Sequence, residues 1–209
     1  VPALQLLAPL RARGTEIVVA DGGSTDDTVV LATPLADQVL AGARGRASQM
    51  NAGAAAAHGD VLLFLHADTR LPPHADALIL EGLAQSGCAW GRFDVSIEGR
   101  HQLLPVVAAF MNARSRLTGI ATGDQGIFVT RGAFAAAGGY AGIALMEDIE
   151  LTRRLKRISR PLCLRARVTT SGRRWEQRGV LRTMLLMWRL RLEYFFGATP
   201  EDLARRYES

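Results

Sequence analysis

The chain has 209 residues, 48% of them hydrophobic and 22% charged, an ordinary globular composition that excludes a disordered chain. Its longest apolar stretches, such as 61–65 and 184–188, fall far short of the ~20 residues a membrane-spanning helix needs. Nothing near Val1 reads as a signal peptide, and two cysteines without a metal spacing, Cys88 and Cys163, exclude a disulfide scaffold or zinc module. A reducing, cytoplasmic compartment is therefore expected.

The net charge of +5 hides an asymmetry. Residues 153–191 hold 13 basic residues and one acid, Glu176, whereas the first 152 residues hold 10 basic and 15 acidic ones. A basic C-terminal stretch on an acidic body points to an anionic partner: phosphate, nucleic acid or a membrane surface.

In chain order, Val1-Pro-Ala-Leu4 reads as the end of a first strand and 5–11 as a helix. No turn residues separate them, so residues are expected to be absent between Leu4 and Gln5. Residues 16–20 read as a buried strand ending in the turn Asp21-Gly22-Gly23, with Ser24, Thr25 or Asp26 capping a helix through Leu31. A short strand near 38–40, an Ala-rich helix over 47–57, a strand over 61–65 and a helix from about 74 to 85 follow. This alternation predicts a mostly parallel sheet with helices on both faces. The second half is less regular: strands over 88–97 and 126–130, an extended segment over 162–169, and helices over 103–117, 147–156 and 180–196.

Ligands of open α/β sheets bind beyond the carboxyl ends of the strands. Two acidic motifs fall there, Asp21-Gly-Gly-Ser-Thr-Asp-Asp-Thr28 and His66-Ala-Asp68. A carboxylate at such an end can accept from a base or ribose, and a second can hold a cation bridging phosphates. Taken singly, each motif also reads as a turn and a helix cap. Their order in one sheet favours a nucleotide site.

Glu16-Ile-Val-Val-Ala-Asp-Gly-Gly-Ser-Thr-Asp26, Gly45-Arg-Ala-Ser-Gln-Met-Asn-Ala-Gly53, and Gly59-Asp60 through Phe64-Leu-His-Ala-Asp68 resemble the nucleotide-sugar motifs of family 2 glycosyltransferases of the GT-A fold. Gly123-Asp-Gln-Gly-Ile-Phe-Val-Thr-Arg131, Gly138-Gly139-Tyr140 and Met146-Glu-Asp-Ile-Glu-Leu151 resemble the acceptor half of those enzymes. The tail from Ser171-Gly-Arg-Arg-Trp175 to Tyr207 is similar to a bacterial subgroup described as radical-SAM/selenodomain-associated transferases. The resemblance implies a single domain: a three-layer α/β/α sandwich with a mostly parallel central sheet and C-terminal amphipathic helices. Residues 1–86 would form the nucleotide-sugar half, 87–170 the acceptor half, and 171–209 a basic loop with the final helices.

By position, the resemblance implies that Asp21 reads the nucleobase, that Gly23 belongs to the nucleotide-sugar site, that Arg46 lies near base or phosphates, and that Asp68 binds the nucleotide sugar and a divalent cation, Mn²⁺ or Mg²⁺. His66 replaces the first aspartate of the metal-binding triad, either as a ligand, which would favour Mn²⁺, or behind one. Asp148 would be the general base of an inverting transfer from a nucleoside-diphosphate sugar, with Glu147 beside it. Acids opening a helix also complement its dipole. Gly123, Asp124 and Gln125 would shape the acceptor pocket, or form only a turn. Arg173 and Arg174 would grip the diphosphate, with Trp175 on the acceptor side; a solvated arginine face with Trp175 in the core is the alternative. No upstream glutamine completes the element of processive members, and processivity is not expected.

Leu181, Met184, Leu185, Trp188, Leu192 and Phe195 line one stripe of the last long helix, with Arg178, Arg182 and Arg189 on another. The stripe is expected to dock on its own domain or a second subunit ahead of lipid, although peripheral contact at the inner membrane face fits the same pattern. The acceptor is open and includes lipid-linked molecules. The competing readings are a non-catalytic nucleotide-sugar binder and a basic nucleic-acid-binding protein. No nucleic acid is expected, because the arginines are not interleaved with stacking residues.

Overall fold

The computed structural model describes residues 2–208. Two short helices, α1 (Pro2–Gln5) and α2 (Ala8–Ala12), precede strand β1 (Val18–Asp21). Helix α3 (Thr28–Ala32), strand β2 (Gln38–Ala41), helix α4 (Arg46–Ala56) and strand β3 (Val61–Phe64) follow, then the two-residue β4 (Thr69–Arg70) and helix α5 (Ala75–Ser86). The second half holds β5 (Trp90–Glu98), α6 (Leu104–Thr118), β6 (Ile127–Thr130), α7 (Arg131–Ala136), α8 (Glu147–Leu155) and β7 (Leu162–Ser171). Helices α9 (Arg173–Arg178), α10 (Val180–Phe195) and α11 (Pro200–Glu208) end the chain. The result is an α/β fold.

Three expectations need correction. Pro2–Leu4 are helical rather than the end of a strand, and α1 runs directly across Leu4 and Gln5; Val1 lies outside the described residues. A four-residue segment with no neighbouring strand satisfies its backbone locally, and Pro2 suits a helix start. The strands are also not mostly parallel. β1 pairs with β2 in parallel, but the larger sheet, ordered β3-β6-β5-β7-β4, has one parallel pair, β5 with β7. Its other three pairings are antiparallel: β6 inserts between β3 and β5 and runs against both, and the short β4 runs against β7. Finally, residues 173–178 form a helix where a loop was expected.

Two asparagines tie the layers by imitating a peptide group. Asn112 of α6 donates to the Val95 carbonyl at 3.0 Å and accepts the Val95 N–H at 2.8 Å, fastening α6 to β5. Asn51 of α4 does the same with Tyr140, at 2.9 Å in each direction, across 89 residues. The fully buried Arg92 lies beside Asp94 and donates to the Ser115 hydroxyl and the Asn112 carbonyl, so its charge is paired inside the sheet–helix layer. Arg131 donates to the carbonyls of Ala54, Ala57 and Gly59, closing the C-terminal end of α4.

The apolar core has three parts. One lies under α5, α6 and the start of α10, centred on Phe93, Phe128 and Val168. A second joins α4, β3, β6 and α8 around Trp90, Ile127 and Leu151. The third, Met146 with Leu190 and Leu203, is made by the C-terminal helices. α10 does not lay its long apolar stripe on this core: Val180, Thr183 and Leu190 are its buried residues, and Leu181, Leu185, Trp188 and Leu192 face solvent.

Gly91 of β5 lies against the Leu162 carbonyl of β7. A Cβ there would strike the Leu162 carbonyl and the Phe128 ring. The Gly91→Ala variant should lose about 1–3 kcal/mol in a denaturant titration. An unchanged midpoint would contradict the β5–β7 register.

Candidate functional site

A cavity of about 1720 Å³ runs along β1 and β3 to the carboxyl ends of these strands. Its walls near the strand ends carry Arg46, His66, Asp68, Gly123, Asp124, Asp148, Arg173, Arg174 and Trp175. The structure thus brings nine of the residues singled out from the sequence onto one cavity. Asp21, Gly23, Gln125 and Glu147 lie around it without lining it.

Asp21 is buried at the end of β1. Its Oδ2 accepts the N–H groups of Gly23 and Ser24, each at 2.8 Å, and its Oδ1 accepts the Ser24 hydroxyl. These bonds, led by the Ser24 hydroxyl, hold the carboxyl below its usual range. Gly23 sits at φ 88°, a left-handed backbone that a side chain would strain. Across the turn, Gln49 donates to the Ala20 carbonyl at 2.9 Å, and a Cβ on Gly22 would meet its amide. Asp21 therefore builds the turn at the cavity's edge.

The acidic pair opens α8. Met146, just before it, has φ 70°, and its buried side chain packs in the third core cluster. Asp148 faces the cavity, and its Oδ2 accepts the Gly123 N–H at 2.8 Å. Glu147 does not line the cavity; it is 3% exposed and lies 3.7 Å from Arg46 of the cavity wall. Burial, reinforced by the Asp148 charge, pushes the Glu147 carboxyl up. Gly123–Gln125 form one 3₁₀ turn closed by a reciprocal bond between Thr122 and Gln125. Gln125 is fully buried in that turn and reaches Asn112 at 3.5 Å.

His66 Nδ1 lies 3.5 Å from Asp124 Oδ1, and its buried Nε2 has no hydrogen-bond partner. The ring rests on Gly123, where a Cβ would collide with Nε2. Burial alone would lower the imidazole, but the Asp124 carboxylate outweighs it and the net shift is upward. Arg173 and Arg174 are exposed on α9, and Arg174 stacks over the Tyr207 ring at 4.9 Å. Trp175 is half-buried, with one side on the first core cluster and another on the cavity.

The structure adds three residues that the sequence did not single out. Arg114 of α6 is largely buried, with Nε and one Nη lacking partners, and burial plus the nearby Arg191 charge lower it to about 10. Arg191 of α10 is lowered by burial against the opposing pull of Asp148 and Asp124. The buried Tyr140 hydroxyl has no partner, and burial with Asp148 and Glu147 nearby raises it. Tyr140 belonged to a quoted motif, but nothing in residue spacing brings Arg114 and Arg191, 77 positions apart, near one aspartate.

Among the described residues, no cluster of three or more His, Cys, Asp or Glu side chains could hold a metal by itself. Asp68 is an exposed carboxylate on the cavity wall. One carboxylate completed by substrate phosphates is a common arrangement for Mg²⁺, and Asp68 fits that kind of open site.

The model of the family described as "Glycosyl transferase family 2" matches residues 4–137. The chain belongs to glycosyl transferase family 2. The solved structures it resembles include S. aureus TarS 1–349 in complex with UDP, at 15% identity and TM-score 0.60, covering 75% of this chain and 51% of that one. TarS 1–349 in complex with UDP-GlcNAc is similar at 14% identity and TM-score 0.57, over 75% and 49%. A mycobacterial protein is similar at 21% identity and TM-score 0.57, over 81% and 59%. The family 2 chain described here therefore spans about half the length of TarS 1–349. No curated protein matches it.

The raised Glu147 carboxyl predicts a pH signature. A group that binds its proton more tightly when folded makes stability fall as pH rises from its ordinary value of 4.5 through its raised one. The Glu147→Gln variant should lose that fall, so its stability relative to wild type should increase across this window. Parallel pH profiles of the two proteins would contradict the buried placement.

Proposed function

We propose that this chain transfers a sugar from a nucleoside-diphosphate sugar to an acceptor hydroxyl with inversion, with Asp148 as the general base. The observation that carries the reading is the position of Asp148. It lines the same cavity as Asp68, Arg46, Arg173 and Arg174 and is fixed by the Gly123 N–H. A base must reach the attacking hydroxyl at ~3 Å, and a cleft that takes donor and acceptor together allows it.

In this reading Asp148 removes the acceptor proton as the acceptor oxygen bonds to the anomeric carbon. The bond from that carbon to the diphosphate oxygen breaks on the opposite face, and the diphosphate leaves with the electron pair. Arg46, Arg173 and Arg174 stabilise the departing charge. The Asp21 turn borders the nucleobase end, as a rigid wall whose carboxylate is already bonded. Asp68 would hold a divalent cation together with the donor phosphates, and that ion, Mn²⁺ or Mg²⁺, would neutralise the leaving group when bound.

His66 orients Asp124 rather than the ion, because Gly123 covers its free Nε2. Arg173, Arg174 and Trp175 keep the tail's likeness to the radical-SAM/selenodomain-associated subgroup relevant. The complexes of TarS with UDP and UDP-GlcNAc make uridine nucleotides the first donors to try.

The test follows release of nucleoside diphosphate from UDP-, GDP-, CDP- and dTDP-sugars by wild type and by Asp148→Asn. One donor should be consumed by wild type, and the variant should be slower by about 10²–10⁴-fold with donor binding retained. Equal rates would remove Asp148 from the chemistry. Donor binding without consumption by either protein would favour a non-catalytic nucleotide-sugar binder.

A further inference from the structure

Among the described residues, four of the six buried side-chain atoms that lack a hydrogen-bond partner belong to three residues near Asp148. They are Nε and Nη2 of Arg114, the Tyr140 hydroxyl and His66 Nε2. Unpaired buried donors are rare in a folded chain, and a group of them in one place marks a site that a ligand completes. Gly123 covers His66 Nε2, so the donors left to a ligand are those of Arg114 and Tyr140.

Nε and Nη2 form one edge of the Arg114 guanidinium, the fork that meets a carboxylate or phosphate with two parallel bonds. Three helices bring this edge to the acidic pair: α6 carries Arg114, α10 carries Arg191 and α8 carries Asp148. Arg191 makes no hydrogen bond or ion pair among the described residues, and its nitrogens are not buried. Tyr140 is 3% exposed, with its ring edge-on to Phe64 at 4.9 Å and its backbone held by Asn51, so its hydroxyl is fixed in place.

The two arginines repel each other, and no acid pairs with either. Asp148 attracts both, but its oxygens accept the N–H groups of Gly123 at 2.8 Å and Ile149 at 2.7 Å. Asp124, the second acid near Arg191, faces His66. Water would satisfy the donors one by one, yet two like charges would remain in a partly dry site. An oxyanion satisfies the fork and the charges together. The donor diphosphate is not that anion, because neither arginine lines the strand-end cavity, which has Arg46, Arg173 and Arg174 of its own.

We infer that the acceptor carries an oxyanion group, a phosphate or a carboxylate, which Arg114 and Arg191 bind beside Asp148 while the acceptor hydroxyl meets that base. The Tyr140 hydroxyl is a further donor to the same molecule. Calling the ligand an acceptor rests on the sugar-transfer reading; the anion site does not.

The test uses three-carbon probes that share a hydroxyl and differ in charge: glycerol, glycerate and glycerol 3-phosphate. Their binding to the full chain is measured by calorimetry with UDP present to fill the donor side. At least one anionic probe should bind at least tenfold more tightly than glycerol, and the tighter of the two identifies the group as carboxylate or phosphate. Arg114→Gln and Arg191→Gln should each weaken that binding at least about tenfold and leave UDP affinity unchanged. Both variants should keep or raise the Tm of the free protein, because each removes an unpaired charge. Equal affinity for all three probes, or no binding of either anionic one, overturns the inference. So does anion binding that survives both substitutions, or that Arg173→Gln/Arg174→Gln removes in their place. Failure of the sugar-transfer reading looks different: wild type and Asp148→Asn release nucleoside diphosphate at equal rates while Arg114-dependent anion binding persists, and that result rejects the assignment to an acceptor.

Discussion

The left-handed turn at Met146 is the constraint on which the site depends. A non-glycine residue at φ 70° costs on the order of 1 kcal/mol and persists only when its surroundings impose it. Here the C-terminal helices do so, because Met146 is buried against Leu190 of α10 and Leu203 of α11. The turn starts α8 in the direction that sends Asp148 to the cavity and Glu147 into the interior. The tail, at first sight an appendage, thereby sets the aim of the acidic pair. Arg191 of α10 adds a cation that attracts Asp148 from the same side.

The two halves of the chain are joined to that turn by backbone-imitating bonds. Asn51 of α4 holds Tyr140, six residues before Met146, and Asn112 of α6 holds β5 while touching the turn that positions Asp148. Each asparagine satisfies one backbone N–H and one carbonyl with its side-chain amide. Asn51 falls in a motif whose apparent purpose was nucleotide binding. Its observed contacts are structural, which shows how a motif near a site can serve the frame.

The elements that were legible in the sequence are those with strong local signals. Residues 61–65 and the Ala-rich 47–57 kept their type because apolar continuity and helix propensity are local properties. β5, α6 and α10 followed for the same reason. Strand direction was not legible, because β6 pairs with β3 and β5 through contacts far apart in sequence. Helix formation at Pro2–Leu4 reversed a reading based on resemblance to a strand end. The stripe on α10 was visible as a pattern, but whether it faced core or water depended on tertiary placement. Of the site, the strand-end acids and the pair at 147–148 were visible in order. The Arg114–Arg191–Asp148 grouping was not, since two helices had to pack before those charges met.

The cavity concentrates opposite charges at the strand ends: Asp68, Asp124 and Asp148 face Arg46, Arg173 and Arg174. Such a cleft suits a ligand that is itself a diphosphate joined to a neutral sugar. The most direct measurement is the thermal stability of the protein with UDP, GDP, CDP and dTDP, each with and without Mn²⁺ or Mg²⁺. At 100 times its dissociation constant, one nucleotide should add ~2.7 kcal/mol and raise Tm by several degrees, with the metal increasing the effect. If none of the four raises Tm, with or without either metal, the strand-end cavity is not a donor site and the account fails.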